Sequence, residues 1–288
     1  MNSDHPETQL VPLPPLNFVP ERDAGQQPIL EVRNLGIDFG GLTAVDSLNL
    51  AISPTEISGL IGPNGAGKTT VFNLLTKVYQ PTRGTILFNG QDIIGMNTVR
   101  VNRAGIARTF QNIRLFNNLT VEDNIKIGLH NQIKYGMFSG ILRLPDYWKQ
   151  EKIAREQVGE LLSIFNMGHL TQHIAGSLPY GAQRRLEIIR ALATRPKLLL
   201  LDEPAAGMNP SETAELMENI AKIRSTFQIA VLLIEHDMSL VMGICEGICV
   251  LNFGKVIAKG TPSAIQNNPE VVEAYLGRRK EGGHHVEG

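Results

Sequence analysis

Residues 58–70 read SGLIGPNGAGKTT. An apolar run ends at Ile61, a glycine-rich turn follows, and Lys68-Thr69-Thr70 opens a predicted helix. Gly62, Gly65 and Gly67, with Pro63, Asn64 and Ala66 between them, let backbone N–H groups turn inward on phosphate oxygens. The spacing Gly62-x-x-x-x-Gly67-Lys68-Thr69 completes a phosphate-binding loop: Lys68 reaches the β and γ phosphates and the Thr69 hydroxyl ligates Mg²⁺. The helix that starts near Gly67 points its positive end at the anion. A merely glycine-rich turn would leave Lys68 at a helix N-terminus without an anion, which the helix dipole disfavours. The expected ligand is a nucleotide, ATP with Mg²⁺, contacted by residues 62–70.

The second half of such a site is LLLLDEP, Leu198 to Pro204. Four leucines suit a strand buried on both faces. Asp202 at its carboxyl end suits Mg²⁺ through water, and Glu203 is placed to orient or deprotonate a water for attack on the γ phosphate. The plainer alternative is that both acids cap the next segment. Another apolar strand ends in LLIEHDM, so His236 stands at the same sheet edge, within reach of the γ phosphate.

Working outward, the chain of 288 residues is 42% hydrophobic with a net charge of -1, which suits a folded core and does not point to nucleic acid as a partner. Residues 1–27, rich in Pro and polar residues, read as a flexible tail. They lack the basic and apolar regions of a secretory signal. No run is long and apolar enough to span a membrane, and a cytoplasmic location is expected. Cys245 and Cys249 lie in the apolar run GICEGICV and read as reduced core thiols.

Strands are expected from Ile29 to Gly62. TILFNGQDI, with its Asn89-Gly90 turn, reads as half of a hairpin. From about residue 113 to 195 the pattern becomes helical. Thr120 with Glu122 and Asp123 makes a helix start. Ile153, Val158, Leu161, Leu162 and Phe165 fall on one helical stripe, as do Leu186, Ile189 and Ala193. A further helix begins at NPSE, where Asn209 caps, Pro210 takes the first position and Glu212 completes a capping box. The expected architecture is α/β, a P-loop NTPase (RecA-like) core with an antiparallel β subdomain and an inserted α-helical subdomain. It occupies residues 28–280, followed by a short flexible tail at 281–288.

The segment LPYGAQRRLEIIRALATRPKLLLLDEP narrows the class. It resembles the ABC ATPase family, whose signature reads Leu-Ser-Gly-Gly-Gln about twenty residues before the DEP strand. The resemblance implies further roles. Gln111 in TFQNIRLF matches the Q-loop glutamine, a ligand of Mg²⁺ and part of the catalytic set. Phe39 matches the aromatic that stacks on adenine, with a core aromatic as the competing reading. Glu203 matches the catalytic carboxylate and His236 the switch histidine. The signature residues Pro179, Tyr180, Gly181, Ala182 and Gln183 would face the nucleotide of a second subunit. Here the pattern departs: Pro179 replaces serine, Tyr180 the first glycine and Ala182 the glutamine. Pro179 has neither hydroxyl nor N–H, so the Gly181 N–H is left to make the contact across the dimer. Asn209 stands near the family's D-loop aspartate, and either crosses the dimer interface or caps its helix.

GPNGAGKTTVFN, ARTFQNIRLFNNLTVEDN, LIEHDMSLVMGI and NNPEVVEAYLG look most like the ATP-binding subunits of branched-chain amino-acid importers. Relatives that take up amides, urea or other amino acids remain open. This resemblance implies a peripheral ATPase at the cytoplasmic face of the inner (plasma) membrane. It would form a homodimer, or a heterodimer with a second ABC ATPase, on two transmembrane permease subunits, served indirectly by a substrate-binding protein. A soluble ABC ATPase acting on DNA or ribosomes is the contrasting class. Such relatives fuse two domains or carry long coiled coils, and this chain has neither. Between Gln111 and Trp148, Phe116, Ile127, Leu129, Tyr135, Met137, Phe138, Ile141, Leu142, Tyr147 and Trp148 form an apolar set. It either packs on the helix near 152–165 or receives a short cytoplasmic helix of the membrane subunit.

Overall fold

A computed structural model describes residues 27–130 and 145–276. Among them, ten strands form two sheets. The first is antiparallel, with β1 (Leu30–Phe39), β2 (Leu42–Ile52), β4 (Arg83–Phe88) and β5 (Gln91–Asp92) in the order β2-β1-β4-β5. The expected hairpin is β4–β5. Asn89 and Gly90 both take positive φ, 50° and 76°, as a two-residue turn that follows the strand twist requires.

The second sheet runs β10-β9-β3-β8-β7-β6. Its members are β3 (Ile57–Ile61), β6 (Ile106–Arg108), β7 (Leu198–Asp202), β8 (Ala230–Ile234), β9 (Gly247–Asn252) and β10 (Lys255–Gly260). All neighbours pair in parallel except β9 and β10. Every residue of β3, β7 and β8 is buried, which is why these strands read as unbroken apolar runs. Alternate residues still serve opposite faces. Leu199, Leu201, Val231 and Leu233 join one core with the helices of the insert. Leu198, Leu200, Leu232 and Ile234 join the other with the antiparallel sheet.

Helix α1 (Lys68–Leu75) follows β3 and packs in that second core through Val71, Phe72, Leu74 and Leu75; α2 (Thr98–Ala104) precedes β6. Between β6 and β7 lie α3 (Val121–Leu129), α4 (Pro145–Ile164) and α5 (Tyr180–Leu192). Thr120 caps α3 by accepting from Asp123 N at 3.1 Å. The buried face of α4 is Ala154, Val158, Leu161 and Leu162, with Phe165 just beyond it. Ile153 is exposed, one position off this face, so the expected stripe is corrected there. Of the apolar set that follows the Q-loop, Leu129 is core, whereas Phe116, Ile127 and Trp148 are exposed. Tyr135, Met137, Phe138, Ile141 and Leu142 lie outside the described residues, as do the N-terminal and C-terminal tails apart from Gln27.

After β7 comes α6 (Pro210–Phe227), then α7 (Met238–Ile244) between β8 and β9, and α8 (Pro262–Gln266) and α9 (Pro269–Leu276) after β10. Asn209 is the α6 cap: its side chain accepts from Glu212 N and Glu212 accepts from Asn209 N, both at 3.0 Å. The cap reading of Asn209 therefore describes this chain. Cys245 and Cys249 are buried free thiols. No helix of the described residues is long and apolar enough to cross a membrane.

Register places the site. Leu60 pairs with Ile234, and Ile234 with Asp202. The loops after β3, β7 and β8 therefore leave the sheet side by side at one carboxyl edge, where open α/β sheets bind ligands.

Candidate active site

The loop after β3 folds tightly because Gly67 takes φ 102° as the N-cap of α1. A Cβ at Gly67 would also sit 2.8 Å from the Ala44 carbonyl of β2. Only glycine accommodates both demands. Lys68, 6% exposed, donates from Nζ to Gly62 O at 2.7 Å and to Pro63 O at 3.0 Å. Burial lowers its pKa, opposed by the nearby Glu203 and Asp202 carboxylates.

A cleft of about 740 Å³ opens over the loop, lined by residues 64–70 together with Gln111, Glu203 and His236. Residues far apart in sequence meet here. Glu203 sits just past β7 with φ 48°, a left-handed conformation that a non-glycine residue holds only when its surroundings fix it. Its Oε1 lies 2.6 Å from His236 Nε2, and its Oε2 accepts from Gln111 Nε2 at 2.8 Å. The expected catalytic trio is thus one hydrogen-bonded cluster.

Other expected residues lie outside the cleft lining. Asp202 is buried, and its Oδ2 accepts from Arg108 Nη2 at 2.7 Å. Phe39 ends β1 and is 44% exposed, its ring edge-on to that of Tyr79 at 5.3 Å. That exposure tells against the core reading. The cleft lining includes instead Leu42, Thr43 and Ala44 of β2 and Phe253 from the β9–β10 turn. Phe253 is 86% exposed.

Pro179 takes the N-cap of α5 and Tyr180 its first position. Tyr180 is 45% exposed, whereas Gly181 and Ala182 are buried. A Cβ at Gly181 would meet Glu212 Oε1 at 2.7 Å, so its α-carbon faces its own chain. Gln183 turns back to donate to Leu178 O at 2.8 Å.

Sequence reasoning passed over four charged residues around this site. Arg108 bridges Asp202 and Asn73 Oδ1, the latter at 2.6 Å, and lies near the rings of Phe72 and Phe110. Arg184 and Glu187 are buried within α5. Glu235 is buried, accepting from Ala205 N at 2.7 Å and His236 N at 3.0 Å. Burial raises its pKa, against the pull of those N–H groups. The available signal was a charge at an otherwise apolar position: Arg108 ends a short buried strand, and Glu187 interrupts the apolar face of α5.

A family model described as ABC transporter matches residues 45–206. The chain is 49% identical over 251 residues to the high-affinity branched-chain amino acid transport ATP-binding protein LivG of Escherichia coli, which covers 87% of this chain and 98% of that protein. The chain belongs to the ABC transporter ATP-binding family. It is 47% identical, over the same shares of the two chains, to the corresponding BraF protein of Pseudomonas aeruginosa. A second family model, described as Branched-chain amino acid ATP-binding cassette transporter, matches residues 255–281. That range contains the NNPEVVEAYLG stretch. Among solved structures, the ADP conformation of an ATP-binding cassette of an ABC transporter superposes with a TM-score of 0.76 at 28% identity, covering 88% of this chain and 100% of the other. The two sheets and the helical insert are the ABC ATPase fold. An ABC cassette binds nucleotide, and its ATPase activity is coupled to transport.

Proposed function

We propose that this ABC ATPase powers an importer of branched-chain amino acids. It works as one of two ATPase subunits docked on two permease subunits at the cytoplasmic face of the plasma membrane, with a substrate-binding protein delivering cargo. The observation that carries the hydrolytic role is the convergence of Lys68, Gln111, Glu203 and His236 on one cleft. The match of residues 255–281 to the branched-chain subfamily supports the cargo.

Lys68 shifts its ammonium from the Gly62 and Pro63 carbonyls to β and γ phosphate oxygens, while the α1 N-terminus and loop N–H groups cradle the anion. Phe39 offers its exposed ring to adenine. The Thr69 hydroxyl, the Gln111 amide oxygen and, through water, the Asp202 carboxylate would supply the oxygen donors that suit Mg²⁺. Arg108 on Asp202 Oδ2 orients that carboxylate. When bound, Mg²⁺ neutralises charge on the phosphates. Glu203 takes the proton of the attacking water through a lone pair left beside its contacts with Gln111 and His236. The chain carries one phosphate-binding loop and one signature segment, so a second copy or a close relative completes each site. Tyr180, Gly181 and Ala182 N–H groups at the start of α5 then face the partner's γ phosphate.

The groove between α3 and α5, about 390 Å³, is lined by Phe116, Ile127, His130 and Arg190 and suits a short cytoplasmic helix of the permease. Cysteine cross-linking from Asn117 to the permease in vesicles tests that docking. Cross-links that vary with ATP support it, and cross-links only from the far sheet face exclude it. The cargo is tested by purifying the native complex and identifying its binding protein. Stimulation of the complex's ATPase by that protein loaded with leucine, isoleucine or valine supports the reading. Stimulation only by an amide- or urea-loaded protein replaces it.

A further inference from the structure

Arg184 and Glu187 of α5 have side chains 0% and 1% exposed and pair at 2.9 Å. Two charges withdrawn from water destabilise a fold unless their remaining hydrogen-bonding groups are filled. Here the partners of both Arg184 Nη atoms and of Glu187 Oε1 belong to the catalytic segments, and Arg184 Nε has none among the described residues. Arg184 donates from Nη1 to Phe110 O at 2.6 Å and from Nη2 to Gln111 O at 2.7 Å, with Glu203 O at 3.4 Å. Glu187 Oε1 accepts from Arg114 N at 3.2 Å and Phe110 N at 3.4 Å.

The pair therefore grips both polar ends of Phe110, the carbonyl of Gln111 and the carbonyl of Glu203. β6 ends at Arg108, so the segment that carries Gln111 has no strand ladder to hold it. Buried backbone groups need partners, and Arg184 and Glu187 supply them. The planar guanidinium fixes the angle between its Nη1 contact to Phe110 and its Nη2 contacts to Gln111 and Glu203, a geometry that a freely rotating ammonium does not hold. Glu203, held at φ 48°, has one of its fixing contacts from the same fork.

We propose that the Arg184–Glu187 pair is a positioning device for hydrolysis. It sets the distance between the Gln111 and Glu203 main chains, and so the 2.8 Å contact between their side chains. Glu187 also lines the α3–α5 groove beside Arg190, so an occupant of that groove bears on the same pair. The inference rests on Glu203 as the carboxylate that acts on water.

Steady-state ATP hydrolysis and ATP affinity of the full chain test it. Arg184→Met combined with Glu187→Met replaces the pair by apolar groups of similar length, leaving no unpaired buried charge. The expected result is a folded protein whose ATP affinity stays within about threefold while kcat falls at least about tenfold, as displaced catalytic groups require. Arg184→Lys keeps the charge pair but not the fork, and its kcat should fall between the two. A pair that serves folding alone would lower thermal stability and leave kcat per folded molecule unchanged. A kcat within about twofold of the parent in the folded double variant overturns the proposal; if that variant does not fold, the same result for Arg184→Lys overturns it. Glu203→Gln is measured alongside. If Glu203→Gln hydrolyses ATP like the parent, the reading of Glu203 fails and takes the positioning role with it. If Glu203→Gln is inactive while the double variant keeps its kcat, the positioning role alone fails.

Discussion

Glu203 and His236 share a 2.6 Å contact, while Gln111 holds the other carboxylate oxygen of Glu203 at 2.8 Å. Both oxygens are thus held in place by protein, and each keeps a lone pair for the attacking water. Glu203→Gln removes the base but keeps the side-chain shape. Turnover should fall by about 10²–10⁴-fold, the usual worth of general-base assistance. ATP binding should survive, so an ATP-bound dimer should accumulate on size-exclusion chromatography with ATP. Near-parental turnover would exclude Glu203 as the base.

Lys68 is buried and held by two loop carbonyls, with burial depressing its pKa. Its charge is of use mainly when phosphates are present. Lys68→Ala should therefore abolish the rise in thermal midpoint that ATP produces in the parent. By mass action that rise corresponds to about 2.7 kcal/mol at a hundredfold excess over Kd. A variant that ATP still stabilises fully would mean that Lys68 does not reach the phosphates.

Phe39 is too exposed to be a core aromatic. Phe39→Ala should weaken ATP binding by about 1–3 kcal/mol, the range for base–aromatic stacking, with the thermal midpoint of the ligand-free chain nearly unchanged. Isothermal titration with ATP measures it. Unchanged affinity would assign the base to the wall around Leu42 and Phe253.

Gly181→Asp adds a carboxylate at the start of α5, where it would repel the partner's γ phosphate. It also meets a carboxylate of its own chain. The new Cβ would meet Glu212 Oε1 at 2.7 Å, so carboxylate faces carboxylate within one chain. Glu212 must turn aside and give up its hydrogen bond from Asn209 N, a loss of about 0.5–1.5 kcal/mol. The variant should lose thermal stability even without nucleotide, and Glu212→Gln in the same chain should restore part of it. A variant of parental stability with lowered hydrolysis would return the effect to the dimer.

Cys245 and Cys249 have thiol pKa values pushed up to about 12, chiefly by burial. Alkylation needs the thiolate. Raising the pH from about 7 to 9 should speed iodoacetamide labelling in denaturant and leave the native chain almost unlabelled, as read by mass spectrometry. The sign for stability follows from linkage. The stabilisation is full below the ordinary thiol pKa and is lost as pH rises toward about 12. Rapid native labelling at neutral pH would show that the strand carrying Cys249 is open.

Much of the site was legible in the sequence, because its parts are local. A phosphate-binding loop needs only its own glycines and the helix that follows. LLLLDEP and LLIEHDM announce buried strands with polar residues at their ends. The Asn209–Glu212 box is complete within four residues. These motifs act over a turn or a strand end, distances that spacing alone encodes. What the tertiary structure decided is which ends meet. Gln111 and Glu203 are 92 positions apart, Arg108 and Asp202 are 94, and Arg184 reaches Phe110 across 74. Those contacts follow from the sheet order β9-β3-β8-β7-β6 and from the register of Asp202 against Ile234. The facing of Gly181 toward Glu212, and the exposure of Ile153, depend likewise on how one helix lies against another. Side-chain spacing fixes which face of an element is apolar; only packing in three dimensions fixes what each polar group on the remaining faces will touch.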